Sequence, residues 1–373
     1  MNIAVFFTYD YTLKTLSDAG ILERELKIYD LINKKYKVNF VFYTYDENIN
    51  LKYENKNFKF IPIYSFIKKR NSKGLRLIYS FLIPFKLTKD LKNHQINILH
   101  QHQILGSWIP IVLKKLTKLP LLTRTGYDAY QFSQKNNDSI YKKIFYKALT
   151  SLSLKYSDLY TVTSKSDYKF LKSNFKNTKF LKVIPNWIEE IEIKDKNYYK
   201  DRILMVGRLE AQKNYELLID LLKNSKKNIQ VDIYGNGSLK EKLENDFKIN
   251  KLNINILGNV SHDELKEIYM KYNYFLNTSL YEGNPKAVLE ALSYQLIVFA
   301  SNIPNHSEII ENNYNGVLFN SVEDLIVSFE NIFENIEIQN KIKKNISKKM
   351  EKNYIQNIAE SMYLDYKYLY ELK

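Results

Sequence analysis

The chain has 373 residues, 45% hydrophobic and 26% charged, a composition that excludes a disordered polymer and a length that suits two hydrophobic cores. It contains no cysteine, which excludes disulfides, a thiol nucleophile and thiolate metal sites. The formal charge of +15 is uneven: residues 1–186 hold 32 Lys+Arg against 13 Asp+Glu, a net of +19, whereas residues 187–373 hold 24 against 28, a net of −4. One half is therefore suited to a polyanion, with nucleic acid and an anionic membrane as the candidates.

Residues 2–8 read as a short apolar strand, and the opening MNIAVFFTYDY has neither the basic segment nor the cleavage site of a signal peptide. The longest apolar runs, such as Ile104 to Leu113, are too short to span a bilayer. A cytoplasmic protein is expected. A helix is predicted from near Gly20 to about Lys35, with Ile21, Leu26, Ile28, Leu31 and Ile32 close to helical spacing, and Val38 to Tyr43 is the next strand. This strand-helix-strand opening is that of a parallel α/β domain. The loop Ser17-Asp18-Ala19-Gly20 is not a dinucleotide fingerprint; it is either a ligand-facing turn or a helix cap.

From Lys68 to Lys92, Lys68, Lys69, Arg70, Lys73, Arg76 and Lys86 are interleaved with Ile78, Phe81, Leu82, Ile83 and Phe85. Two readings stand: an interfacial segment seated in lipid headgroups, or a helix with its apolar face in the core and its lysines in water. Ile96 to His100 is a predicted strand, with His100-Gln101-His102 at its C-terminal end, where open α/β sheets bind ligands. A metal at the two histidines would need further ligands, and Asp90 and His94 fall at the wrong end of the strand. Pro120 to Thr123 is the next strand and leads into Arg124-Thr125-Gly126; Leu159 to Thr163 and Phe180 to Ile184 follow.

Pro185-Asn186 interrupts this pattern, and the alternation then restarts. Strand 203–206, helix 216–222, strand 229–234, helix 239–247 and strand 254–257 indicate a second parallel α/β domain. Gly207-Arg208-Leu209-Glu210-Ala211-Gln212-Lys213-Asn214 directly follows the strand ILMV. Arg208 and Lys213 thus share a loop at a strand's C-terminal end, where a planar fork and a point charge can clamp a diphosphate. Gly235-Asn236-Gly237 forms a second turn where backbone can approach a ligand. The stretch FLNTSLYEGNPKAVLEAL, Phe275 to Leu292, reads as strand, tight loop and helix, with Asn284 as N-cap and Pro285 as first helical residue. Glu282 then lies at a helix N-terminus that favours an anion, and Glu290 about a turn and a half into that helix. Carboxylates accept hydrogen bonds from sugar hydroxyls, so phosphate flanked by two carboxylates suits a nucleotide sugar. The final stretch, Tyr354 to Leu372, reads as a helix.

The string from Tyr281 to Leu292 resembles the E-x7-E motif of family 4 glycosyltransferases, and the arginine-lysine loop matches that family's spacing. The likeness covers most of residues 183–320 and the N-terminal half only loosely. It implies the GT-B architecture: two parallel-sheet Rossmann-like domains facing a central cleft, at 1–184 for the acceptor and 185–352 for the nucleotide sugar, with residues 353–373 a helix returning to the first domain. It further implies Glu282 against the transferred sugar, Glu290 against the ribose, and Arg208 and Lys213 neutralising the leaving diphosphate. Gly207, Gly235, Asn259, Gly283, Asn284 and Pro285 then belong to the donor side. Gly20, His102, Arg124 and Thr125 are assigned to the acceptor side, with Arg124 or Thr125 standing where relatives carry a histidine.

The expected activity is retaining, metal-independent transfer of a hexose-type sugar from a UDP- or GDP-sugar to a glycan hydroxyl, with no cofactor beyond the nucleotide sugar as co-substrate. Bacterial surface polysaccharide, capsule or lipopolysaccharide synthesis is the expected setting, with the acceptor carried on a lipid and the protein peripheral at the inner face of the cytoplasmic membrane. The competing reading is a catalytically silent nucleotide-sugar-binding protein on the same fold. Nucleic acid is not expected as a partner, since charge alone suggests it and no recognition motif does.

Overall fold

A computed structural model describes residues 1–18, 20, 22–49, 57–191, 198–227, 229–333 and 335–372. Ala19 and Ile21, both named in the sequence reading, lie outside the described residues. The chain divides into two compact units, Met1–Pro185 with Gln356–Lys373, and Asn186–Ile355.

In the first unit the described strands are β1 Asn2–Phe6, β2 Asn39–Thr44, β3 Phe58–Pro62, β4 Ile98–His102, β5 Leu121–Thr125, β6 Leu159–Val162 and β7 Leu181–Val183. They form one parallel sheet in the order β3-β2-β1-β4-β5-β6-β7. The near-continuous apolar runs, such as VFYT of β2, are buried on both faces, as helix-covered parallel strands must be. The sheet reverses its winding between β1 and β4. The helix Ile355–Glu371 belongs to this unit: Tyr363 stacks on Tyr36 at 3.9 Å between ring centroids, and Lys182 pairs with Asp365 at 2.6 Å.

The second unit holds β8 Tyr199–Val206, β9 Gln230–Tyr234, β10 Ile254–Gly258, β11 Tyr272–Asn277, β12 Ile297–Ser301 and β13 Val317–Phe319, parallel in the order β10-β9-β8-β11-β12-β13. Its winding reverses between β8 and β11. All six residues of β11 are buried, because the strand lies mid-sheet with helices on its faces. The helix His262–Met270 opens with a reciprocal cap between Ser261 and Glu264, so its start is fixed locally.

Several boundaries differ from the sequence reading. β4 runs to His102 and β5 to Thr125, so His102, Arg124 and Thr125 stand within strands and not on the loops beyond them. An additional short helix, Leu13–Asp18, precedes the helix Leu22–Tyr36. The basic stretch splits into two helices, Lys73–Ser80 and Ile83–Asn93, the second with proline near its start.

Candidate active site

In open parallel sheets, ligands bind beyond the carboxyl ends of strands at the point where the winding reverses. In the second unit those strands are β8 and β11, and the loops that follow them are bonded to each other. The β8 loop contains a short 3-10 turn, Ala211–Lys213, ended by Asn214 in the left-handed region at φ 50°. Thr278 Oγ1 donates to the Lys213 carbonyl at 2.6 Å, and the Leu280 amide donates to the Gln212 carbonyl at 2.9 Å. Gln212 Nε2 donates to the Tyr281 carbonyl at 2.7 Å and reaches Glu282 Oε2 at 3.4 Å.

At the centre Lys213 Nζ forms an ion pair and hydrogen bond with Glu282 Oε1, which also accepts from Ser279 Oγ at 2.7 Å. Burial alone pushes the Glu282 carboxyl up, but the Lys213 charge and its hydrogen bond, with Ser279, hold it below its ordinary value. Glu282 is therefore an anion whose charge is already matched by a cation. Arg208 lies exposed at the start of the same loop and forms no side-chain hydrogen bond or ion pair among the described residues.

The glycines of this region serve backbone-to-backbone approach. A Cβ on Gly235 would lie 1.9 Å from the Gly207 carbonyl oxygen, and one on Gly237 would lie 2.4 Å from that of Leu209. Gly207 leaves room for the Lys213 stem, since its Cβ would meet Lys213 Cε at 3.1 Å. Gly235, expected on the donor side, lets two loops of the site lie against each other. Asn259 follows β10 and is exposed.

The turn into the next helix also departs from expectation. The helix spans Lys286–Ser293, and Pro285, at ψ 99°, is its cap residue rather than its first helical residue. Asn284 does not cap it. Its Oδ1 instead accepts the Asn186 amide at 3.0 Å, and its carbonyl accepts Asn186 Nδ2 at 2.9 Å. Pro285 supplies no side-chain cap to the helix start, whose first-turn N–H groups suit an anion. Glu290 is the fifth residue of this helix, about 6 Å along its axis, and accepts from Tyr269 Oη at 3.2 Å.

Sequence reasoning missed the support beneath Glu282. His306, fully buried in the short helix Pro304–Ser307, donates from Nδ1 to the Ser301 carbonyl at 2.7 Å. Ser301 Oγ donates to the Ser279 carbonyl at 2.5 Å, and Asn305 Nδ2 donates to the Gly283 carbonyl. Burial lowers the His306 imidazole to about 4, which keeps it neutral beside Lys213. The segment after β12 thereby braces the Glu282 loop through two residues that no local pattern singled out.

The acceptor-side candidates of the first unit are held by that unit's own groups. His102 lies 3.2 Å from Tyr29 Oη and 3.5 Å from Glu25 Oε2, and His100 shares a 2.8 Å hydrogen bond with Tyr366 Oη. Arg124 donates to the carbonyls of Ile184 and Pro185 at 3.2 and 3.4 Å. Thr125 is buried at the end of β5. Gly20 adopts φ 65° and donates its amide to the Ser17 carbonyl at 2.8 Å, a turn conformation that glycine takes without strain. No group of three or more metal-ligating side chains occurs among the described residues.

A family model described as Glycosyl transferases group 1 matches residues 186–349. The chain is 30% identical over 267 residues to the O-antigen biosynthesis glycosyltransferase WbnH of Escherichia coli, covering 71% of this chain and 75% of that one. It is 23% identical over 331 residues to a Campylobacter jejuni alpha-1,4-N-acetyl-D-galactosaminyltransferase whose name specifies a diNAcBac-PP-undecaprenol-linked glycan, with 85% and 86% covered. Among solved structures it is similar to Anabaena HepE in complex with UDP, with a TM-score of 0.72 at 13% identity over 98% of this chain and 100% of that one.

Proposed function

Because the chain belongs to the group 1 glycosyltransferases, with two parallel-sheet units of the GT-B fold, we propose that it is a retaining, metal-independent hexosyltransferase using a UDP- or GDP-sugar. The observation that carries this reading is the Lys213–Glu282 pair beside an uncapped helix start. In a nucleotide sugar the β-phosphate and the anomeric carbon share one oxygen. A cation for the phosphate and a carboxylate for the sugar hydroxyls must therefore be neighbours, as these two are. As the glycosidic C–O bond breaks, negative charge builds on the β-phosphate, and Arg208, Lys213 and the helix N–H groups are the counterweights. That positive set does the work a divalent ion would otherwise do. An incoming diphosphate competes with Glu282 for Lys213, which frees the carboxylate to accept from a sugar hydroxyl.

The acceptor hydroxyl attacks on the face the leaving group departs from, and the departing phosphate oxygen takes its proton, so configuration is kept. Glu290 is assigned to the ribose. The acceptor is a glycan of bacterial surface polysaccharide, capsule or lipopolysaccharide synthesis, carried on a lipid, and the enzyme works at the inner face of an anionic membrane. The relatives of Escherichia coli and Campylobacter jejuni support this setting by what their names specify. Incubation with UDP- and GDP-sugars in parallel, read by mass spectrometry with and without EDTA, tests the reading. Transfer of a hexose mass that survives EDTA, with the donor's anomeric configuration in the product by NMR, is expected. Loss of transfer on chelation, or an inverted product, overturns it.

A further inference from the structure

The helices Lys73–Ser80 and Ile140–Tyr156, with the start of the helix Ile83–Asn93, carry apolar side chains that none of the described residues of their own unit covers. Ile78 is 64% exposed, Phe85 58%, Tyr141 82% and Ile144 59%. These are not scattered residues. Phe81 stacks on Trp108 at 5.8 Å between centroids, and Phe145 meets the same indole edge-on at 6.5 Å, so one buried ring joins the two helical segments into a single face. Trp108 is itself fixed by a 2.9 Å hydrogen bond from its Nε1 to Ser80 Oγ. An apolar patch of this kind on a soluble face marks an interaction surface.

The charges around the face identify its occupant. Residues 71–89 contain Lys73, Arg76, Lys86 and Lys89, residues 139–157 contain Lys142, Lys143, Lys147 and Lys155, and neither segment contains an aspartate or glutamate. Two of these cations are paired with carboxylates, Arg76 with Asp10 at 3.1 Å and Lys142 with Asp138 at 2.8 Å. Lys143 donates to Asn137 Oδ1 at 3.3 Å, and Lys147 and Lys155 lie over the Tyr130 and Tyr156 rings. Lys73, Lys86 and Lys89 remain exposed beside the apolar side chains. A second copy meeting this face across a two-fold axis would bring lysines against lysines. Aliphatic and aromatic side chains standing among cations of one sign suit the interfacial layer of an anionic bilayer, where the apolar groups enter the acyl boundary and the lysines meet phosphates.

We infer that this face, built from the Lys73–Ser80 helix, the start of the Ile83–Asn93 helix and the first two turns of the Ile140–Tyr156 helix, docks the protein on an anionic lipid surface. The inference deepens the membrane association proposed above and stands apart from the chemistry of the Lys213–Glu282 site. It also revises the sequence reading: Lys69 pairs with Glu47 at 2.9 Å and Arg70 lies over the Tyr79 ring, so those cations serve the fold, while the helix beginning at Ile140 supplies a half of the face that the sequence did not announce.

The test is flotation of the full chain with vesicles of phosphatidylcholine alone and of equal parts phosphatidylcholine and phosphatidylglycerol, at low and high salt. The wild type should float with the anionic vesicles and be released as salt rises. An Ile78→Ser, Tyr141→Ser, Ile144→Ser triple variant should lose recovery by about ten-fold or more, whereas Ile249→Ser with Leu257→Ser, exposed apolar positions of the other unit, should float as the wild type does. Release of nucleotide from the donor without vesicles should be unchanged in the triple variant, which separates failure of the surface from failure of the active site. Wild-type flotation by the triple variant, equal recovery with neutral vesicles, or a wild-type dimer in solution that the same substitutions dissolve would each overturn the inference.

Discussion

The two sheets share a winding scheme, yet the strand ends at their reversal points are engaged in opposite ways. In the second unit the loops after β8 and β11 turn toward each other and join an exposed arginine, a lysine-glutamate pair and an uncapped helix start in one place. In the first unit the polar groups at the equivalent strand ends are held by that unit's own structure: His100 by Tyr366 of the C-terminal helix, His102 by Tyr29 and Glu25, and Arg124 by two backbone carbonyls. The same topology thus gathers an exposed arginine and a charged pair at one reversal point, while at the other each of these side chains is held by at least one bond of the fold and His100 Nε2 is buried without a partner among the described residues. Chemistry that needs fixed charges for a diphosphate fits the former better, because Arg208 is exposed there and a diphosphate can compete with Glu282 for Lys213.

The largest effect should come from Arg208, the exposed cation of that contrast. Arg208→Ala should lower turnover by about 10²–10³, through loss of a preorganised cation at the leaving group. With no hydrogen bond of its side chain to lose, the melting temperature should barely move. Arg124→Ala, removing a cation bonded to two carbonyls, should reverse the pattern, with stability falling more than turnover. Steady-state kinetics beside thermal melts would read both, and a folded Arg208→Ala enzyme with near-normal activity would refute the assignment.

Gly235→Ala probes how the second unit's loops are held. Its Cβ would stand 1.9 Å from the Gly207 carbonyl oxygen, which is backbone and has no rotamer to yield. A stability loss of about 3 kcal/mol is expected, with weakened donor binding because Gly207 also flanks the Lys213 stem. Gly74→Ala, whose Cβ would meet only Ser72 Oγ at 3.9 Å, is the matched control in the first unit and should be nearly neutral. Urea unfolding of both variants checks the pair.

Acid titration should separate the units by sign. Burial lowers His306 from 6.5 to about 4, so between those pH values the unfolded chain binds the extra proton and stability rises with pH. Burial raises Asp128 from 3.8 to about 6, so there the folded chain holds the extra proton and stability falls as pH rises through that window. Each contribution is about 3 kcal/mol at most. His306→Asn should therefore flatten a rise and Asp128→Asn a decline, measured as urea midpoints from pH 4.5 to 7. Changes of slope of the same sign in the two variants, relative to the wild type, would contradict the burial argument.

How much of this was legible follows from where each partner lies in the chain. The β8 loop and the Glu282–Glu290 stretch are each contiguous, and their alternation of apolar strand, loop and helix sets their position at strand ends, so the residues could be picked out from spacing. The pairing of Lys213 with Glu282 joins positions 69 residues apart and left no local sign. The same holds for His306, whose bonds run through Ser301 to Ser279, and for the apolar face around Trp108, where exposure depends on what does not pack nearby. The helix start was misplaced because Asn284 and Pro285 carry the right residue types for a cap and a first turn, but Asn186 binds Asn284 and draws the turn one residue outward. His102, placed beyond the predicted strand, proved to lie within β4, since an alternating apolar-polar run does not reveal where hydrogen bonding to β1 and β5 stops.

The smallest expected effect concerns Glu290, and it is informative through its contrast with Glu282. Glu282 touches Lys213 and Ser279 at the loop where the proposed donor would join sugar and phosphate, so Glu282→Gln should chiefly lower kcat. It also leaves Lys213 without its partner in a largely buried place, so some stability should go with it. Glu290 lies one turn into the helix, and its bond from Tyr269 Oη at 3.2 Å can be accepted equally by a glutamine oxygen. Folding of Glu290→Gln should therefore be close to that of the wild type. A ribose is bound alike before and during reaction, so losing a charged acceptor there should raise the donor KM by about ten-fold and leave kcat nearly untouched. Donor titrations of both variants, with melting curves alongside, distinguish these outcomes. If Glu290→Gln abolished turnover while donor affinity stayed intact, the carboxylate would belong at the reacting carbon, and the separation of roles along this helix would be wrong.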